Sequence, residues 1–93
     1  MTRSLLEVRR DLDAVDGEIA VLLRRRMELV DEVARAKRAS GASLVDRGRE
    51  GEILERMASI AGAEFAGDVQ AVYAAIFESS KARQRRFLQE AAK

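Results

Sequence analysis

Arg26 stands where helical periodicity calls for an apolar side chain. The seam Leu5, Val8, Leu12, Val15, Ile19, Leu22, Leu29, Val33 advances in steps of three and four, and an arginine fills the gap between Leu22 and Leu29. An unpaired guanidinium on a core face is costly, so it implies a partner carboxylate or an anionic ligand. Two further stretches are interrupted in the same way. Asp46, Arg49 and Glu50 lead into Ile53, Met57 and Ile60, and Ser80 and Gln84 lie between Ile76 and Phe87. Polar groups from three helices, all on core-facing positions, point to a pocket.

At 100° per residue, Arg26 and Lys37, eleven residues apart, differ by about 20° around the helix axis and roughly 16 Å along it. They share a face and can grip two ends of one small anion. Arg9 lies seventeen residues before Arg26, about 100° away and roughly 25 Å distant along the axis. It cannot reach the same ligand from the same straight helix, but in an antiparallel dimer it can approach Arg26 of the other chain. Asp46 and Glu50 are spaced i, i+4, as are Ser80 and Gln84, so each pair faces one way.

Three helices must carry these groups. Ser4 with Glu7 forms a capping-box signal that opens the first, over about 5–39, with Gly41 as its stop. Such a helix is roughly 50 Å long, more than the rest of a small chain can cover, so a second subunit is expected to bury part of its seam. A loop over 40–43 follows, with Ser43 and Asp46 as a second capping signal. The second helix is expected from Leu44 or Val45 to about 60, weakened by Gly48 and Gly51 by up to ~1 kcal/mol each relative to Ala. Asp68 is the expected N-cap of the third helix, over about 68–90.

Composition agrees. Ninety-three residues form one domain, all-α in expectation, with no proline and only 4% aromatics. There is no histidine and no cysteine, which removes disulfides, thiol and imidazole chemistry and most zinc sites. A net charge of +1 with interleaved signs argues against a nucleic-acid partner. No apolar run is long enough for a signal peptide or a membrane span, so the chain reads as cytoplasmic. The clusters Arg24, Arg25, Arg26 and Arg83, Arg85, Arg86 read mainly as solvated helix faces.

The run LLEVRRDLDAVDGEIAVLLRRRMELVDEVARAK (5–37), the D-x-x-R-E pattern within SLVDRGREGEILER (Asp46, Arg49, Glu50) and the I-x-x-x-S-x-x-x-Q pattern of IFESSKARQ (ending in Ser80 and Gln84) resemble the all-helical chorismate mutases. No single motif is specific. Eight residues in order on three helices, over essentially the whole chain, are. The resemblance implies an intertwined antiparallel homodimer of three-helix chains, with two active sites that each draw on both subunits. It also implies the conversion of chorismate to prephenate, an intramolecular Claisen rearrangement on the route to phenylalanine and tyrosine. A pericyclic step needs no nucleophile, base, metal or cofactor. It needs a flexible dianion held in its reactive conformer and negative charge stabilised on the breaking ether oxygen.

Carried over by resemblance, Arg26 and Arg9 of the partner chain bind the two carboxylates, and Lys37 and Gln84 donate to the ether oxygen. Glu50 accepts from the ring hydroxyl, with Asp46 placing groups nearby, and Arg49 and Ser80 help on the carboxylate side. Gln84 does not titrate, so activity is expected to be broad around neutral pH. The loop before Asp46 has Ser43 where a proline is often found, and Gly48 and Gly51 fall inside the second helix. This wall is therefore expected to be mobile, which leaves room for dependence on a partner such as the first enzyme of the aromatic pathway.

Other readings stay open. Arg26 can pair with a buried acid or extend its head to water. Lys37 can serve the helix dipole, Asp46 can be only a cap, and Arg49 with Glu50 can be an exposed charge pattern. Ser80 and Gln84 can be a tolerated polar stripe. On the same scaffold, an isochorismate–pyruvate lyase, a mutase for the 4-amino analogue of chorismate, or a non-catalytic regulatory module are alternatives.

Overall fold

The computed structural model describes residues 2–43 and 46–91. It contains three helices, α1 (Leu5–Ser40), α2 (Arg47–Ala61) and α3 (Ala66–Ala91), and no strand among the described residues. The ends of α1 follow the sequence signals. The Ser4 hydroxyl accepts from the Glu7 backbone N–H at 3.2 Å and donates to the Glu7 carboxylate at 2.9 Å. At the other end Gly41 adopts a left-handed φ of 74° and its N–H donates to the Lys37 carbonyl, which a Cβ would disfavour. Lys37 and Arg38 in the last turn complement the helix dipole.

Two boundaries differ from expectation. The N-cap of α2 is Asp46 itself, whose carboxylate accepts from the Arg49 backbone N–H at 3.0 Å. The expected start at Leu44 or Val45 lies outside the described residues. The third helix begins at Ala66, so Asp68 sits in its first turn rather than capping it. After the 63–65 turn, the Val69 N–H already bonds the Phe65 carbonyl. In the first turn Asp68 still meets the positive end of the dipole.

α3 is the shared neighbour: α1 packs on it and so does α2, while α1 and α2 do not pack on each other. The core is correspondingly thin. Val30, Ala34 and Phe77 are buried, and Tyr73 meets Phe77 edge to face at 5.9 Å. The α1 part of this core, Val30 and Ala34, lies on the C-terminal half of the helix, where Leu29 and Val33 of the seam are still 49 and 43% exposed. On its N-terminal half Leu5, Leu12, Ile19 and Leu22 remain 63, 54, 47 and 63% exposed. The radius of gyration is 16.9 Å, against about 12 Å for a compact domain of this length. The accessible surface is 7323 Å², against roughly 5,400 Å² for a compact monomer of this mass. No helix is long and apolar enough to cross a membrane among the described residues.

Candidate active site

The three helices line an open cavity of about 440 Å³, within the range usual for small-molecule sites. Leu29, Val30, Val33, Ile53 and Phe77 form its apolar walls. Its polar lining comes from all three helices: Arg26 and Lys37 from α1, Glu50 and Arg49 from α2 with the cap residue Asp46, and Ser80, Lys81 and Gln84 from α3. Seven of the eight residues singled out in the sequence thus surround one space. The eighth, Arg9, is exposed on the uncovered half of α1 and does not line it.

Arg26 is not neutralised by a buried acid. No carboxylate among the described residues lies within ion-pair distance of it. Its Nη1 donates to the Ser80 hydroxyl at 2.6 Å, and that hydroxyl donates onward to the Ile76 carbonyl at 2.8 Å. Because the Ser80 proton is committed to the α3 backbone, its lone pairs face the guanidinium and fix the fork. The Arg26 guanidinium also stands 5.9 Å from the Phe77 ring centre, within cation–π range. A charge held in place by neutral partners keeps its attraction for an anion.

Lys37 Nζ donates to Gln84 Oε1 at 3.4 Å, and Gln84 is only 7% exposed. A buried amide at the end of a polar stripe is therefore part of the cavity wall and not a fraying-end feature. Asp46 serves as cap and cavity wall at once. Arg49 points its guanidinium toward Glu52 at a loose 3.9 Å, which leaves it weakly held.

Two features lay outside the sequence reading. Lys81 lines the cavity and bridges Glu50 at 3.4 Å and Glu78 at 2.9 Å. It follows Phe77 by four residues and precedes Gln84 by three, a same-face spacing that marks it as facing the site. Arg83, read as solvated, instead forms a two-pronged pair with Asp31 at 2.7 and 2.8 Å that ties α3 to α1. The Arg83 guanidinium holds the Asp31 carboxyl below its ordinary range. Arg24, Arg25, Arg85 and Arg86 are exposed, as expected of charge runs.

With Lys81 included, the lining carries four cations against two carboxylates. Such a space favours a small ligand with two negative charges. Compared with known families, residues 8–85 match chorismate mutase type II. The chain belongs to the chorismate mutase type II family. Among individually curated proteins, none matches it. The match spans all three helices and contains every polar residue of the cavity, Arg26 through Gln84, together with Arg9.

Proposed function

We propose that the cavity binds chorismate and accelerates its Claisen rearrangement to prephenate. The observation that carries this reading is the convergence of Arg26, Lys37, Asp46, Arg49, Glu50, Ser80 and Gln84 on one cavity with an excess of positive charge. In the reaction one C–O bond breaks and one C–C bond forms within a single molecule. No proton is transferred and no group leaves, so the side chains only hold the substrate and stabilise charge.

In this reading the Ser80-anchored fork of Arg26 binds one carboxylate bidentately. Arg9 of a second copy, reaching in from an antiparallel partner, supplies the other cation. The uncovered apolar seam over 5–22 supports such an assembly, because a second chain would bury it. Lys37 and the amide N–H of Gln84 donate to the ether oxygen, where negative charge grows as the bond breaks. Their own contact at 3.4 Å holds both near that point before substrate arrives. Glu50 accepts from the ring hydroxyl, with Asp46 beside it, and Arg49 and Ser80 steady the carboxylate side. The apolar wall formed by Val30, Val33, Ile53 and Phe77 presses the ring toward the compact conformer. The same reading carries a cytoplasmic role in phenylalanine and tyrosine biosynthesis.

The test is a chorismate-disappearance assay on purified protein, with prephenate identified by its acid-catalysed conversion to phenylpyruvate. Prephenate formed far faster than in the protein-free reaction is the expected result. A rate equal to the protein-free reaction rejects the proposal.

A further inference from the structure

Lys81 has no role in the rearrangement as described above, yet it occupies the cavity wall. Its side chain is 21% exposed, and its ammonium is shared between the outward Glu78 and the cavity-facing Glu50, which is 24% exposed. Glu78 first, and then Glu50, raise its proton affinity above the ordinary lysine value against the opposing effect of burial. At neutral pH it is a fixed cation.

Resting on the mutase reading, we infer that Lys81 is a specificity-determining residue that makes the Glu50 wall accept a neutral ring hydroxyl and reject a ring ammonium. A bare carboxylate facing the ring would attract a positively charged amino substituent strongly, by charge as well as by hydrogen bond. A carboxylate already bridged by Lys81 offers a cation no net charge, and the ammonium of Lys81 repels it. Its free lone pairs still accept from a hydroxyl. Lys81 therefore filters substrates that share the dicarboxylate frame and differ only in the ring substituent.

The geometry supports this at both ends. Arg26 and Lys37 recognise the parts of the molecule common to both substrates, and neither touches Glu50 among the described hydrogen bonds and ion pairs. Lys81 is the cation that bonds Glu50. Glu78, 71% exposed, anchors the ammonium from the solvent side. The discrimination is electrostatic and partly open to water, so it is expected to weaken with salt.

The experiment compares kcat/KM for chorismate and for 4-amino-4-deoxychorismate in the wild type, Lys81→Met and Lys81→Arg, with helicity checked by circular dichroism. The wild type is expected to prefer the hydroxyl substrate, and Lys81→Met to shift the ratio toward the amino analogue by on the order of tenfold or more. Lys81→Arg, which keeps the charge, is expected to keep the ratio. Raising the ionic strength should narrow the wild-type ratio, an arm that needs no variant. A packing role would lower both substrates together, so an unchanged ratio in Lys81→Met overturns the inference. Equal shifts in the Met and Arg variants, or a salt-independent wild-type ratio, also overturn it. If the wild type turns over neither substrate, the mutase reading itself falls and the inference falls with it.

Discussion

The two halves of α1 carry one apolar pattern and meet different fates. Over 23–37 the neighbouring positions Val30 and Ala34 are covered within the chain, 8% and 0% exposed, while Leu29 and Val33 of the seam, 49 and 43% exposed, face the cavity together with Arg26 and Lys37. Over 5–22 the periodicity is as regular, yet Leu5, Leu12, Ile19 and Leu22 are about half exposed or more. Hydrophobic periodicity states that a face will be buried. It does not state which molecule buries it. A seam of this length left open on one helix is a docking surface in waiting, and the proposed dimer gives it an occupant of the right length and pattern. The difference also divides the chemistry: the covered half holds the cations that line the cavity, and the open half holds Arg9, which a second copy would deliver.

The largest effect should come from charging the open half. Ile19→Glu places an unpaired carboxylate on the seam and is expected to abolish both assembly, read by sedimentation, and turnover. A variant that keeps its assembly would show that this half is not an interface. On the covered half, Lys37→Ala should leave assembly intact and cost on the order of 10²–10³ in kcat, the usual scale for a lost donor to developing charge. A near-normal rate would remove Lys37 from the mechanism.

A smaller effect is expected at the clamp between α1 and α3. Arg83 lowers the Asp31 pKa below its ordinary 3.8. A depressed carboxylate pKa adds stability that is fully present above the unfolded-state value and is lost as pH falls through the folded value. Asp31→Asn should therefore melt below the wild type at neutral pH, and the gap in Tm should close as pH drops below about 4. A gap independent of pH would mean that the pair contributes through shape alone. The smallest effect is at Gly51, where an added Cβ meets no atom of the chain within 4 Å. Gly51→Ala should stabilise α2 by up to ~1 kcal/mol. A loss of stability would indicate that a second chain fills that space.

Much of this was legible from spacing. The three helices and the shared faces of seven cavity residues follow from helical spacing within single helices, and the Ser4 and Gly41 ends of α1 from capping signals. Relations between helices were not. The Arg83–Asp31 clamp joins residues far apart in sequence, and Lys81 faces Glu50 only because of the register between α2 and α3. Sequence periodicity fixes a face of each helix and is silent on that register. Asp46 is the N-cap of α2 because its carboxylate satisfies the Arg49 N–H directly. Asp68 lost its cap role because Ala66 and Gly67 are already helical.

The most direct measurement mixes two damaged chains. Arg9→Ala removes the cation of the open half, and Lys37→Ala removes one from the covered half. Each variant alone is expected to be strongly impaired in prephenate formation. When the two are unfolded, mixed in equal amounts and refolded, half the dimers pair one of each, and one of their two sites is then intact. A shared site predicts recovery to about one quarter of wild-type activity, from random pairing of a twofold-symmetric dimer. A mixture no more active than the mean of the two variants would contradict it.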